Sequence, residues 1–463
     1  YRSYTMIVLK FGGTSVGSPD RIRSVAHLVA SMPGRKTLVL SAMAGTTNDL
    51  VTLTELITSG ERDRATRHVE MLRSRYIDNV VPELFAGHEL HQQLAEEALT
   101  PILDSLLLQT LNEAFTHNDE KQILACGEMM CTALMALTLQ LYEGITPHKL
   151  LALDFMRITH EGRPDIEYIA QRLRPMVEEV RDAEALFLTE GYICRNAFGE
   201  VDNLRRGGSD YSATLIGEAV QAEEIQIWTD IDGLHNNDPR VVNMTSPVRR
   251  LSFGEAAELA RCGAKILHPA CIEPARRAGI PVRLLNTLDP SAPGTLISHV
   301  TNRDMIKAIS AKDGMCVVTL LLKHLSNSDV STGQFLVTLT EAMHRLHIEP
   351  DILMASGDGY VIVTEEDSEA IPALIEEMTP WAEGSVQSDL SILAIVGDMG
   401  WHRIGFEARI LEAVDDVAVR LICYGTSSNS IDLVIATEEK KRAMIYLSDH
   451  LFAHLRTPGP ELL

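Results

Sequence analysis

A short apolar run over residues 6–9 leads directly into Lys10, Phe11, Gly12, Gly13, Thr14, Ser15, Val16 and Gly17, a junction that limits the possible folds more than any other feature. The run reads as a buried strand, and the loop after it combines a cation, three glycines and two hydroxyl side chains. Glycines let a backbone approach phosphate closely, and their N–H groups can form an anion nest. The loop matches neither a Walker A sequence nor G-x-G-x-x-G. Ser18 and Pro19 then read as an N-cap and first-turn proline, opening a helix with Ile22, Val25, Ala26 and Val29 on its buried side. Residues 37–40 form a second strand candidate with a polar exit loop over 41–49. Strand, small-residue loop and helix in this order predict an α/β domain with a mostly parallel sheet, whose ligands sit beyond the carboxyl ends of the strands.

Further chemistry is concentrated in three places. Residues 204–213 (LRRGGSDYSA) place adjacent arginines, two glycines and a Ser-Asp pair before a helix. Arg206 has the fork to grip a carboxylate, and Ser209 and helix-start N–H groups can add donors. Asp210 equally suits an ordinary N-terminal helix acid. Residues 228–240 (WTDIDGLHNNDPR) run from a strand into an acidic turn suited to ribose, Mg²⁺ or water, or simply to solvent. Lys265, in GAKILHP, adds a second cation after a helix over 256–261 that a Ser252/Glu255 capping box introduces. Glu128 follows Gly127 within an otherwise apolar helix predicted over 119–141.

Composition narrows the partners. A formal charge of −23 over 463 residues repels nucleic acid and anionic membranes, yet leaves room for one basic cleft holding a triphosphate. The seven cysteines are odd in number and include no C-x-x-C pair, which favours a reducing cytoplasm over a disulfide framework or zinc site. His88 and His91 lack the spacing of a zinc helix, and no protein metal ligand is assigned. No apolar run reads as a membrane span, and residues 1–6 lack the pattern of a signal peptide.

The pattern changes near residues 301–304. Strands are expected over 306–310, 316–321, 352–355 and 360–364, with helices over 332–346 and 369–378. A second series follows: strands over 391–396, 419–422 and 431–436, and helices over 405–413 and 438–451. Two successive β-α-β-β-α-β patterns imply paired ferredoxin-like domains. The expected domains are 1–300, 301–385 and 386–455, with the strand near 305–311 available to the last, and a linker-like tail over 456–463 that leaves room for a fused downstream enzyme.

Taken in order, residues 10–17, 41–49, Gly127 with Glu128, Arg206 to Asp210, residues 229–240 and 263–269 resemble the aspartate kinases of the amino-acid kinase superfamily. KFGGTSVG together with R-G-G-S-D carries most of the resemblance, and Cys423, Tyr424, Gly425, Thr426, Ser427 and Ser428 look most like the lysine-sensitive forms. The resemblance implies a three-layer α/β kinase domain followed by tandem ACT domains, and transfer of phosphate from ATP with Mg²⁺ to L-aspartate. It implies Lys10 as the transition-state cation with Asp210 as its catalytic partner. It places Thr47, Glu128, Arg206 and Ser209 at aspartate, and Gly12, Gly13, Thr229, Asp230, His235, Asp238, Arg240 and Lys265 around ATP. Phe335, Leu336, Asp351 and Ser356 are the implied regulatory residues for a lysine effector, with a homodimer through the ACT domains and a tetramer as its extension. Departures from the family pattern are Arg205, commonly small; His235, commonly tyrosine; Gln334, commonly glycine; and Gly357, commonly an acid. Kinases of glutamate or acetylglutamate are the nearest alternatives, and a non-catalytic amino-acid sensor is the alternative of another class.

Overall fold

The computed structural model describes residues 5–204, 207–264, 267–300, 306–323, 332–400, 402, 404–425 and 427–453. Packing divides the chain into two compact units. The first holds Tyr1–Leu234, Pro247–Ala256 and Ile266–Thr301; the second holds His235–Ser246, Ala257–Lys265 and Asn302–Leu463. The division is not linear, because two excursions of the N-terminal part pack with the C-terminal unit.

The chain opens with β1 (Met6–Phe11), α1 (Pro19–Ser31), β2 (Arg35–Leu40), α2 (Thr46–Thr58) and α3 (Arg62–Ser74). A π-helical turn (Arg75–Val80) leads to α4 (Val81–Leu84), α5 (Glu89–Gln109), α6 (His117–Tyr142) and β3 (His148–Lys149). Then follow α7 (Ala152–Phe155), α8 (Ile166–Glu179), β4 (Leu186–Glu190), β5 (Ile193–Arg195), β6 (Val201–Asn203), α9 (Gly208–Val220) and β7 (Glu224–Thr229). The first unit is completed by β8 (Arg250–Ser252), the start of α10 (Phe253–Arg261), α11 (Pro269–Ala278), β9 (Val282–Asn286) and β10 (Thr295–Ser298).

Among the described residues, these strands form an eight-stranded sheet in the order β3-β4-β2-β1-β7-β9-β10-β8. All neighbours pair in parallel except β9 with β10. β2 and β4 are buried at every position, as strands covered on both faces require. One face of the sheet packs its helices on a core of Leu9, Phe11, Ile22, Val25, Leu38, Leu40, Leu134 and their neighbours. Helix α6 starts with a reciprocal capping box between Thr116 and Asp119. Helix α6 is long and apolar enough to cross a membrane by length and composition alone, but 72% of its most apolar stretch is buried inside the protein, as in a core helix.

The second unit contains β11 (Ile306–Leu322), α12 (Thr332–Arg345), β12 (Pro350–Ser356), β13 (Gly359–Glu365), α13 (Ala370–Met378) and β14 (Ala382–Gly397). It ends with α14 (Phe406–Glu412), β15 (Val419–Cys423), β16 (Ser430–Ala436) and α15 (Lys440–Leu451). Its antiparallel sheet runs β12-β13-β11-β14-β16-β15 among the described residues. β11 and β14 each serve two ferredoxin-like halves. The segment of β11 from Met315 to Leu321 pairs with β13, whereas its first part, from Ile306 to Lys312, pairs with the last part of β14. Each half has its own core, one around Phe335, Leu339, Ile362 and Leu374, the other around Leu393, Ile410, Leu433 and Leu447.

Candidate active site

Parallel pairing brings the ends of the central strands to one side of the first unit. Phe11 is in register with Leu40 and Trp228, Leu40 with Glu190, and Thr229 with Asn286. The loops leaving β1, β2, β4 and β7 therefore emerge together, where ligands bind in open α/β sheets. Stacking of Phe11 on Trp228, with ring centroids 5.5 Å apart, fixes the end of β1 against β7.

Lys10, 8% exposed, directs its ammonium to Asp210, Nζ to Oδ1 2.6 Å. Asp210 lies in the first turn of α9, whose N-cap Gly207 offers no side chain to the helix. The acid of R-G-G-S-D is thus both a first-turn helix acid and the ion-pair partner of Lys10. The Gly12 N–H donates to Trp228 O (3.3 Å), and the Ala44 N–H donates to Gly13 O (3.1 Å). A Cβ on Gly13 would come within 2.8 Å of Ala42 O, so the glycine-rich loop and the 41–44 loop touch backbone to backbone.

Glu128 faces this loop from α6 and is 6% exposed. Burial pushes its carboxyl up to about 7; the N–H groups of Ala42 and of Glu128 itself, and the charge on Lys10, pull the other way, while Glu190 adds to the rise. Glu190, at the end of β4, is also raised by burial, and its Oε2 accepts the Ala152 N–H at 2.9 Å. Thr47 is exposed in the first turn of α2, and Ser209 is buried in the first turn of α9.

The site also uses residues that the sequence reading passed over. Tyr192, just after β4, holds a left-handed φ of 67°, uncommon for an aromatic residue. Its N–H donates to Ser212 Oγ (2.8 Å), its carbonyl accepts the Leu204 N–H (2.9 Å), and its ring lies 2.5 Å from where a Cβ on Gly208 would stand. Burial and the nearby Glu128 carboxyl push its phenol up to about 12. The sequence signal was Gly191, a glycine directly after a buried strand. Cys271, whose Sγ would stand 2.4 Å from a Cβ on Gly207, packs under the same loop and left no signal beyond being apolar.

The remaining expected residues are distributed as follows. Thr229 ends β7 and Asp230 follows it in the first unit, where the Thr229 hydroxyl interacts with Ile231. His235, Asp238 and Arg240 belong to the second unit. His235 Nδ1 lies 2.7 Å from Thr245 Oγ1, and Asp238 pairs with Arg240 at 2.7 Å. Arg205, Arg206 and Lys265 lie outside the described residues. In the regulatory set, Phe335 is buried against Tyr360, Leu336 packs at the edge of that core, and Ser356 accepts the Asp358 N–H. Asp351, expected as an effector ligand, already pairs with Lys312 at 2.8 Å and with Arg261 at 3.5 Å.

Comparison with known proteins matches residues 5–286 to the amino acid kinase family and residues 393–451 to the ACT domain. The chain belongs to the amino acid kinase family. Within it, the chain is 32% identical to lysine-sensitive aspartokinase 3 of Escherichia coli, over 96% of this chain and 99% of that one. The crystal structure of E. coli aspartokinase III in complex with aspartate and ADP, an R-state, superposes with a TM-score of 0.80 at 28% identity. That match covers 96% of this chain and all of the other. The T-state of the same enzyme, with lysine and aspartate, matches at 0.73 and 29%, over 96% and 99% of the two chains. The amino-acid kinase resemblance, the mostly parallel kinase sheet and the antiparallel ACT-type sheet are thereby borne out.

Proposed function

We propose that this chain is an aspartate kinase, transferring the γ-phosphoryl group of ATP to the β-carboxylate of L-aspartate to give 4-phospho-L-aspartate. The observation that carries the reading is the 2.6 Å contact of Lys10 with Asp210, which joins the two most diagnostic loops of the sequence at the ends of the parallel strands. The E. coli relative with aspartate and ADP supports the choice of substrates.

The attacking carboxylate is ionised near neutral pH, so the reaction needs no strong base. It needs two anions held together and charge on the transferring group offset. Lys10 supplies that cation, with Asp210 orienting it and the Gly12 and Gly13 backbone lining the loop. Arg206 takes the substrate α-carboxylate with Thr47 and Ser209 beside it, and Glu128 accepts from the substrate ammonium. Thr229 and Asp230, at and just beyond the end of β7, are the nucleotide residues that the first unit supplies. Among the described residues no cluster of three or more His, Cys, Asp or Glu side chains could hold a metal. Mg²⁺ would enter with ATP and offset charge on its phosphates; no protein ligand is assigned to it.

Lysine is the proposed feedback effector, acting on an ACT-paired homodimer that can extend to a tetramer; support comes from the lysine-sensitive relative and its lysine complex. Seven cysteines, all buried, suit a reducing cytoplasm. The test is ATP-dependent ADP release with aspartate, glutamate or acetylglutamate, with hydroxylamine trapping the acyl phosphate. Aspartate alone should give hydroxamate at a high rate. Faster turnover of glutamate or acetylglutamate overturns the substrate, and effector binding without turnover of any of them overturns the enzyme.

A further inference from the structure

Helix α2 begins without a cap of its own: its N-cap is Gly45, at φ 85°, and no side chain bonds the first N–H groups. The hydroxyl of Thr46 is turned away from the helix start and meets the hydroxyl of Tyr76 at 2.7 Å, with both residues fully buried. Arg75, the preceding residue, reaches the same loop with both ends of its fork. Its Nη2 donates to Ala44 O (2.6 Å) and its Nη1 to Asp49 Oδ2 (2.8 Å), and the guanidinium passes 3.5 Å from where a Cβ on Gly45 would stand. From about two turns earlier, in α3, His68 Nε2 lies 2.9 Å from Asp49 O. Arg75 and Tyr76 open the π-helical turn between α3 and α4, and such turns are frequent at functional sites.

The loop's other contacts belong to the site. Ala44 donates to Gly13 O, and Gly127, next to Glu128, brings its Cα so close that a Cβ would lie 2.8 Å from that of Ala42. We propose that Arg75 and Tyr76 are positioning residues for the aspartate subsite. By fixing residues 44–49 from behind, they hold Thr47 and the first turn of α2 at a set distance from Glu128 and the glycine-rich loop. Neither side chain touches substrate. The inference rests on the placement of aspartate beside Thr47 and Glu128.

The experiment compares Tyr76→Phe, Arg75→Lys and Thr47→Ala in the full-length enzyme, with KM for aspartate and for ATP measured separately. Arg75→Lys keeps the charge but loses the two-point grip, so it separates positioning from simple attraction of an anion. The expected result is a rise of about five- to tenfold in KM for aspartate in both clamp variants, with KM for ATP within about twofold of the parent. Adding Thr46→Val to Tyr76→Phe removes the orphaned hydroxyl, so thermal stability should recover while KM for aspartate stays high. Recovery of both together, or an unmoved KM for aspartate beside a raised one in Thr47→Ala, overturns the clamp. An unmoved KM in Thr47→Ala overturns the placement of aspartate and the clamp with it.

Discussion

Glu128 shows how one side chain sets both the stability and the pH response of the site. Its carboxyl rises from an ordinary 4.5 to about 7, chiefly through burial. The folded protein therefore holds this proton more tightly than the unfolded chain does. The associated stability is fully present below about pH 4.5 and is lost as the pH rises through about 7. Glu128→Gln should accordingly stabilise the ligand-free protein at pH 8 by about 3 kcal/mol and hardly at all at pH 4.5, as thermal melts at the two values would register. The same variant should bind aspartate poorly. In the parent, kcat/KM for aspartate should fall below about pH 7 as Glu128 gains its proton, and this limb should be flat in the variant. A limb that persists in Glu128→Gln assigns the titration elsewhere.

At the scale of elements, α6 carries Glu128 on a helix whose start is fixed by the Thr116 and Asp119 capping box. Thr116→Ala should cost about 1 kcal/mol in urea unfolding, with no change in KM for aspartate, since the cap lies three turns from Glu128. Elements were legible where local pattern and tertiary role agree. The apolar runs of β1, β2, β7 and β9 and the amphipathic spacing of α1 gave the parallel sheet and the loops that Lys10, Gly12 and Gly13 occupy. Others were not legible, for separate reasons. β3, β5, β6 and β8 are two or three residues long and exist only through their partners. The first half of β14, Ala382 to Asp389, is polar and almost wholly exposed, and becomes a strand by pairing with β11. β11 read as two strands because Lys312, Asp313 and Gly314 interrupt its apolar pattern, at the register shift between its two pairings. A π-helical turn has no sequence signature, so Arg75 and Tyr76 could not be linked to the Thr46 loop before the fold was known. Tyr192 escaped for a similar reason, since only the backbone shows its left-handed φ.

At the scale of the whole molecule, the second unit is a pair of ACT-type halves that share β11 and β14, and a buried charge cluster spans both. Arg261 pairs with Asp432 on β16 at 2.5 Å and with Asp351 on β12 at 3.5 Å, and Lys312 completes the set. Burial raises the carboxyl of Asp432 even beside Arg261, so desolvation outweighs the pairing there. Arg261→Ala should cost about 2–3 kcal/mol, seen as an earlier unfolding transition, because two largely buried acids lose a shared partner. Regulation belongs to the same scale. Lysine added alone should lower activity, whereas threonine or methionine alone should not, and insensitivity to lysine removes it as effector. The central claim is that the cation at the end of β1 offsets charge on a phosphoryl group passing between two anions. Hydroxamate formation from aspartate and ATP, measured side by side in the parent and in Lys10→Ala, tests this most directly. The account predicts a fall in kcat of about 10²–10³-fold with KM for ATP little changed; equal turnover in the two proteins would contradict it.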